Sequence, residues 1–413
     1  MQRPIYIYFD DAYTDSPLQV GVLTAQLLRQ KEVFSFEFTE QWLHDARCKL
    51  LDPDLQLYVG RQFLSESKNN FGLFLDSSPD RWGRVLLNRR ESLMAKKEQR
   101  PPRHLYESDY LLGVFDESRM GALRVKLTSD GDFLDNNPNY SIPPFAALRD
   151  LEYASWEYEA NHSDSRWLQM LLAPGSSLGG ARPKANVWMS DGSLWIAKFP
   201  SRNDDTNVGA WEAVAMAMAQ ECGIEVAPFR TANLSNRYST FLTRRFDRTR
   251  DNRRLHFTSA MTVLGYTDGE TKGCSYLELA EWIVRSCPRV EENLAEMWRR
   301  IVFNIAISNC DDHLRNHGFL LTPKGWTLAP AYDLNPQSYG TGLSLNINEN
   351  DNALDFSLAK EVAPYFGLSA AQADSIITHI RQVVSQWRTF ATNAQLSRDE
   401  QEQMVQAFNI PNN

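Results

Sequence analysis

The spacing of hydrophobic residues changes along the chain. Near the N-terminus, apolar and polar residues alternate over short runs such as 33–38, which reads Val-Phe-Ser-Phe-Glu-Phe, and polar turns separate these runs. Alternation with a period of two indicates strands that bury one face. One helix is predicted around 79–91. The N-terminal part is therefore predicted to be a compact unit of strands with a helix.

The middle of the chain has a different order of elements. Residues 130–144 are rich in Pro, Asn and Asp, which predicts a long loop or linker. A Gly/Ser loop, two strands joined by a turn at Asp191-Gly192, a helix over 208–222 and a strand over 238–243 follow. This order is typical of the small lobe of a protein kinase.

Helical periodicity dominates after Arg254. It continues over 369–391, where Ser369 is a good N-cap. It is also seen in a set of apolar residues spaced three and four apart: Leu294, Met297, Trp298, Ile301, Val302 and Ile305.

These patterns predict an α+β, two-lobed kinase-like fold with an N-terminal α/β subdomain and a mainly helical C-terminal lobe. The predicted domains are residues 1–130, 131–247 with the Gly-rich loop, and 248–413.

The charge balance limits the classes of partner. The 413 residues include 43 Lys and Arg against 52 Asp and Glu, a formal net charge of −9. The chain therefore has no overall basic field to hold nucleic acid, and any DNA contact needs a partner protein. No apolar run reaches the length of a signal peptide or a membrane span, so we expect a cytoplasmic protein without a membrane contact.

The most informative segment is 309–321, which reads Asn-Cys-Asp-Asp-His-Leu-Arg-Asn-His-Gly-Phe-Leu-Leu. In kinase catalytic loops an Asp accepts the hydroxyl proton, and an Asn five residues later binds magnesium. Asp311 and Asn316 have this spacing. Asp312 is one residue closer to Asn316, and we interpret it as a solvated or capping neighbour.

A second metal ligand is expected at a strand end shortly downstream. Asp333 follows a short apolar strand, which itself follows a hairpin-like turn at 323–325, and it is the candidate. The ordinary alternative is an Asp-rich turn that only caps helices. A metal-hydrolase site built from the acidic and imidazole groups is a further alternative, and its residues are Asp311, Asp312, His313 and His317.

Upstream features suggest nucleotide binding. Residues 175–184 read Gly-Ser-Ser-Leu-Gly-Gly-Ala-Arg-Pro-Lys, and such small residues let backbone N–H groups approach phosphate oxygens. Lys198, in the apolar strand that follows, is placed like the kinase lysine that pairs with the α- and β-phosphates. An ordinary tight turn and an edge-strand lysine are the alternatives. Glu212, near the start of the next helix, is a candidate partner for Lys198.

The segment 241–248 falls where the lobes of a kinase join. Phe246 is placed to pack on adenine, and the alternative is an aromatic among salt-bridged charges at a domain boundary. The residues that we expect to bind the nucleotide are Ser177, Gly179, Gly180, Lys198, Phe246 and His313.

Over nearly its whole length the chain resembles the HipA family of serine/threonine kinases, the toxins of bacterial toxin–antitoxin pairs. The resemblance rests on the joint presence of several segments, namely 76–84 (Asp-Ser-Ser-Pro-Asp-Arg-Trp-Gly-Arg), 113–123, 177–184, Lys198, 246–248, 310–316 and 330–333. It implies ATP- and Mg²⁺-dependent phosphorylation of a protein hydroxyl, with Asp311 as base, Asn316 and Asp333 on magnesium, and Lys198 on phosphates.

The same resemblance implies regulation and partners. Autophosphorylation is expected at Ser177, with Ser176 as the neighbouring alternative. A HipB-like helix-turn-helix antitoxin is the expected partner and the only route to DNA. Aminoacyl-tRNA synthetases are among the family's substrates. A small-molecule phosphotransferase and a pseudokinase that acts only as a binding partner are the competing hypotheses.

Overall fold

The computed structural model describes residues 2–137, 142–160, 168, 170–172, 180, 182–235 and 238–408. Its strands, in chain order, are β1 Gln2–Phe9, β2 Leu18–Leu28, β3 Lys31–Phe38, β4 Arg61–Phe63, β5 Leu123–Lys126, β6 Lys184–Trp188, β7 Leu194–Lys198, β8 Phe229–Ala232, β9 Thr240–Arg244, β10 Phe257–Ser259, β11 Gly318–Thr322 and β12 Gly325–Leu328. Its α-helices are α1 Glu40–His44, α2 Gly72–Leu75, α3 Arg81–Lys97, α4 Glu107–Gly113, α5 Leu148–Glu159, α6 Val208–Glu221, α7 Ala260–Val263, α8 Tyr276–Ser286, α9 Val290–Ala306, α10 Phe356–Val362, α11 Ala370–Ser385, α12 Trp387–Asn393 and α13 Arg398–Gln403.

The chain divides into two compact units. The first unit comprises Met1–Asn203 and Arg244–Thr258, and the second comprises Asp204–Thr243 and Ser259–Asn413. The domain boundaries after residues 130 and 247 stay a prediction.

An antiparallel sheet forms the N-terminal part of the first unit. Five of the described strands pair in the order β4-β3-β2-β1-β5. The alternation over 33–38 places Phe34, Phe36 and Phe38 in the core, while Glu37 is exposed. The strand predicted there is confirmed, because alternate side chains of a strand point to opposite faces.

Two further predictions in the first unit are confirmed. The helix expected around 79–91 is α3, which begins after the N-cap Asp80 and extends to Lys97. The turn at Asp191-Gly192 joins β6 to β7, with Gly192 at a φ of +77°, where glycine is favoured. Within the stretch 130–144, the Leu134 and Asp135 N–H groups donate to the carbonyls of Val125 and Val114, both at 2.9 Å.

The second unit is mainly helical, as expected. The six apolar residues that predicted α9 are all buried: Leu294, Met297, Trp298, Ile301, Val302 and Ile305. The predicted hairpin also forms, since β11 and β12 pair with Thr322 opposite Gly325. Ser369 caps α11 as predicted, but the helix predicted over 369–391 is interrupted at Gln386, between α11 and α12. Among the described residues, no helix has the length and apolar character that a membrane crossing requires.

Candidate active site

The acidic turn follows α9 in the second unit. Asp311 is exposed, and its backbone carbonyl accepts hydrogen bonds from the His313 N–H at 3.0 Å and from Asn316 Nδ2 at 2.9 Å. The Asn316 side chain is buried and closes the turn onto Asp311. Because its amide nitrogen donates to this carbonyl, Oδ1 is the atom of Asn316 left to accept a bond or to bind a cation.

Two hydrogen bonds connect the segment around Asp333 to this turn. The Tyr332 hydroxyl donates to the Arg315 carbonyl at 2.7 Å, and the Asn335 N–H donates to Asn309 Oδ1 at 3.4 Å. Residues on both sides of Asp333 are therefore hydrogen-bonded to Arg315 in the turn and to Asn309 just before it. Asp333 itself has a φ of +60°, a conformation that non-glycine residues seldom adopt. The segments that carry Asp311, Asn316 and Asp333 thus lie together in the second unit.

The loop after Asp333 supports the turn from a second side. The Ser344 hydroxyl donates to the Cys310 carbonyl at 2.7 Å, and the Gln337 N–H donates to the Ser308 carbonyl at 3.2 Å. Gly340 packs so closely on Cys310 that a Cβ there would overlap with Sγ. Such contacts hold the backbone of the turn in one conformation.

The structure corrects the interpretation of Asp312 as a solvated neighbour. Its residue exposure is 2%, and Oδ2 accepts from Asn304 Nδ2 and bonds His317 Nε2, both at 2.8 Å, and also accepts from the Tyr276 hydroxyl. Burial and the charge of Asp312 raise the pKa of Tyr276 well above its ordinary value, so the phenol stays neutral and donates. Asp312 is a buried acceptor that joins α8 and α9 to the turn, whereas Asp311 faces solvent.

The metal-hydrolase alternative lacks a ligand cluster. Among the described residues, which include all four of its candidates, no group of three or more His, Cys, Asp or Glu side chains is placed to hold a metal ion. His317 bonds Asp312 inside the core.

Two further candidates lie in the second unit. His313 is half-buried, and its Nδ1 is buried without a hydrogen-bond partner in the described part of the chain. Glu212 lies in the second turn of α6 and is 3% exposed. Its pairing with Lys198 stays a prediction.

Lys198 belongs to the first unit, at the end of β7. It lies directly opposite Lys184, the first residue of β6. Opposed residues of antiparallel strands project to the same face, and like charges placed so repel each other. Ser176, Ser177 and Gly179 lie outside the described residues, whereas Gly180 is described.

The sequence interpretation missed Lys184 as a binding candidate. A signal for it existed, because Lys184 and Lys198 lie at equal distances in sequence from Asp191 of the turn. In a hairpin without a bulge, such positions face each other.

Phe246 lies next to a buried ionic cluster in the first unit. Phe246 is half-buried, and its ring centroid is 5.8 Å from that of Phe257. Asp247 accepts from Arg245 Nη2 and Arg248 Nη1, both at 2.6 Å, and all three side chains are at most 4% exposed. Burial alone would raise the pKa of Asp247, but the charges of the two guanidinium groups outweigh burial and hold it below its ordinary value. The charges on either side of Phe246 are thus salt-bridged and buried. This agrees with the alternative interpretation of the segment 241–248, an aromatic residue among salt-bridged charges.

The chain is similar to a known family and to known proteins. The model of the HipA-like C-terminal domain matches residues 176–387. A Sinorhizobium fredii (strain NBRC 101917 / NGR234) protein named "Putative kinase Y4mE" is 28% identical over 182 residues, which cover 38% of this chain and 41% of that protein. The match therefore spans less than half of that relative.

Among solved structures, the chain is similar to a chain of the Shewanella oneidensis MR-1 toxin–antitoxin complex of HipA, HipB and operator DNA. The TM-score is 0.65 at 17% identity, and the match covers 98% of this chain and 95% of that chain. At this identity the likeness concerns the fold, and it confirms the predicted α+β, kinase-like fold class.

Proposed function

Because the chain belongs to the HipA family, which the HipA-like C-terminal domain over residues 176–387 defines, we propose that it is an ATP-dependent serine/threonine protein kinase. Membership of this family and the similarity to a Sinorhizobium fredii protein that is named as a kinase support the assignment as a HipA-like kinase. The observation that carries the finer assignment is the exposed Asp311 on a turn closed by Asn316 and bonded to the segment of Asp333.

Asp311 is the proposed general base. It would accept the proton of the substrate hydroxyl while the hydroxyl oxygen bonds to the γ-phosphorus and the bond to ADP breaks. Asp312 is unsuited to this role, because its carboxylate is buried and engaged by Tyr276, Asn304 and His317. A base must reach a substrate, and of the two neighbouring carboxylates only that of Asp311 is exposed.

Asn316 and Asp333 are the proposed holders of Mg²⁺. Magnesium prefers oxygen ligands and takes few of them from protein when phosphates and water supply the rest. Asn316 Oδ1 and the Asp333 carboxylate provide such oxygens, and Oδ1 is available because Asn316 bonds to the Asp311 carbonyl through Nδ2. Bound there, the cation would neutralise the phosphate charge that grows during transfer.

Four described residues are proposed to bind the nucleotide. Lys198 and Lys184, opposed on β6 and β7, are proposed to bind phosphate oxygens, with Phe246 on adenine and His313 near the phosphates. Ser177 and Gly179 are proposed as phosphate-loop residues on the resemblance alone.

The central test is phosphoryl transfer from radiolabelled ATP with purified protein. Wild type should become labelled in the presence of Mg²⁺, and Asp311→Asn should reduce labelling by at least ~100-fold, because a positioned base contributes about 100- to 10,000-fold. Nucleotide affinity should change little in this variant.

The matched control is Asp374→Asn, which removes a surface carboxylate paired with Lys360 in the same unit. It should label as wild type does. Equal labelling of Asp311→Asn and wild type would reject the base assignment, and a wild type that transfers phosphate only to small molecules would support the phosphotransferase alternative.

The proposal also covers autophosphorylation and the partners of the protein. Ser177, with Ser176 as the alternative, is the expected modified residue, since a dianion beside the nucleotide phosphates would be repulsive and would inactivate the enzyme. A HipB-like helix-turn-helix antitoxin is the proposed partner, supported by the fold shared with the Shewanella toxin–antitoxin complex. With a net charge of −9, the chain is expected to reach DNA only through that partner. A protein, such as an aminoacyl-tRNA synthetase, is the proposed substrate.

A further inference from the structure

The start of α3 is bonded to the end of the Gly-rich loop, 100 residues downstream. Asp80 is the N-cap of α3, and its Oδ1 accepts from the Arg81 N–H at 2.7 Å. Its second oxygen, Oδ2, accepts from the Gly180 N–H, also at 2.7 Å. One carboxylate therefore caps a helix and holds a loop residue, and both partners belong to the first unit.

Trp82 adds two further bonds to the same place. Its backbone N–H donates to the Gly180 carbonyl at 3.1 Å, and its indole Nε1 donates to the Lys184 carbonyl at 3.0 Å. The side chain is 4% exposed, and its ring packs edge-on against Tyr158 at 5.6 Å. The first turn of α3 thus binds both the N–H and the carbonyl of Gly180, and also the first residue of β6.

Gly180 adopts a backbone conformation that favours glycine. Its φ is +78°, and an added Cβ would lie 2.7 Å from Nζ of Lys184. The Lys184 ammonium group therefore lies beside the residue that Asp80 holds. Because the Gly180 N–H already donates to a carboxylate, it is not placed to donate to a phosphate as well.

We propose that Asp80 and Trp82 are positioning residues for Gly180 and Lys184 at the proposed phosphate site, and that they act through these two residues rather than by contact with ATP. The inference rests on the proposed kinase function. A binding site whose backbone is fixed before the nucleotide arrives loses less conformational entropy on binding, so its affinity for phosphates is higher. The bond from a neutral N–H to a carboxylate is of the stronger, charge-assisted kind.

The sharpest test is Asp80→Asn. Asparagine is as good an N-cap as aspartate, so α3 keeps its cap, but only one of the two side-chain positions remains an acceptor. The other becomes an NH₂ group that faces the Gly180 N–H. The dissociation constants of ATP, ADP and adenosine should be measured by calorimetry in the presence of Mg²⁺.

The expected result is a loss of about tenfold in ATP and ADP affinity, the size of one charge-assisted hydrogen bond, with adenosine affinity unchanged. A general structural defect would weaken all three ligands. Asp355→Asn is the matched control, because Asp355 is the N-cap of α10 and bonds the Ser357 N–H in the other unit. It should leave all three affinities as in wild type.

Trp82→Phe is a second, independent variant. It keeps an aromatic ring against Tyr158 and removes only the N–H that donates to Lys184, so a smaller loss confined to ATP and ADP is expected. If Asp80→Asn does not fold, this variant decides the question.

The possible results distinguish the proposed kinase function from the proposed positioning role of Asp80 and Trp82. A wild-type protein that binds no ATP would overturn the kinase function itself. If wild type binds ATP and the variants bind it equally well, or lose adenosine equally, the positioning role is wrong while the function stands. Tighter ATP binding by Asp80→Asn would mean that the carboxylate competes with a phosphate, which also rejects the positioning role.

Discussion

At the scale of single residues, Asp247 shows how a charged group stabilises the interior of the first unit. Its carboxylate accepts from Arg245, Arg248 and the Gly121 N–H. The two arginines also donate to backbone carbonyls, among them those of Ser118 and Arg119. The cluster therefore joins the segment around residue 119 to the segment after β9, and both guanidinium groups share the single carboxylate of Asp247.

Replacing Asp247 by Asn should destabilise the first unit strongly. Two buried guanidinium groups would lose their counter-charge, and breaking such a pair from one side costs about 3–5 kcal/mol. The free energy of unfolding from urea titration measures the effect. Asp251→Asn is the control, because Asp251 is exposed on the same turn region, and it should stay within about 0.5 kcal/mol of wild type. A wild-type-like Asp247→Asn would show that the arginines are satisfied by carbonyls alone.

At the scale of elements, helix caps are features that the sequence predicts well. Ser369 and Gln372 form a capping box at the start of α11, with Gln372 Oε1 accepting from the Ser369 N–H at 2.9 Å. Ser369→Ala should lower the free energy of unfolding by about 1 kcal/mol, because a backbone N–H of the first turn loses its acceptor.

The control for this prediction lies at the other end of the same helix. Ser385 donates only to the Gln382 carbonyl and is exposed, so Ser385→Ala should change stability by less than about 0.5 kcal/mol. Equal effects of the two substitutions would contradict a specific role for the cap. Chemical denaturation followed by circular dichroism measures both.

Elements were predictable where the signal is local, and less so where it depends on distant residues. The apolar spacing in α9 and the turn between β11 and β12 are local, and both predictions are confirmed. The interruption at Gln386 is not local, because Trp387 packs on Trp211 and stacks on Phe408, at ring distances of 6.0 and 4.6 Å.

The candidate site also has some contacts that are local in sequence and others between distant residues. The spacing of Asp311 and Asn316 can be seen in the sequence, and the bond between them spans one turn. The burial of Asp312 depends on Tyr276, which is 36 residues away in sequence, so no local pattern indicates it. The hydrogen bond between Asp80 and Gly180 could not be predicted from a local pattern either, because the two residues are 100 positions apart in sequence.

At the scale of the whole molecule, buried ionisable groups make stability depend on pH in opposing directions. Burial lowers the pKa of His256 to about 3, and burial raises the pKa of Asp52 to about 6. Below the ordinary pKa of histidine, unfolding lets His256 bind a proton, so stability falls with falling pH. Folded Asp52 holds a proton that the unfolded chain has lost between about pH 4 and 6, so its effect has the opposite sign.

The contribution of His256 can be isolated with a variant that does not titrate. Wild type should lose stability relative to His256→Leu at up to about 1.4 kcal/mol per pH unit well below pH 6.5, or about 2 kcal/mol in total between pH 7.5 and 5. The comparison removes the opposing effect of Asp52, which both proteins share. Urea unfolding at pH 7.5, 6.5, 5.5 and 5 measures the difference, and His104→Leu, at an exposed histidine, should follow the wild-type curve. Parallel curves for wild type and His256→Leu would mean that His256 is solvated when charged, in conflict with its 1% exposure and its edge-on packing against Phe9.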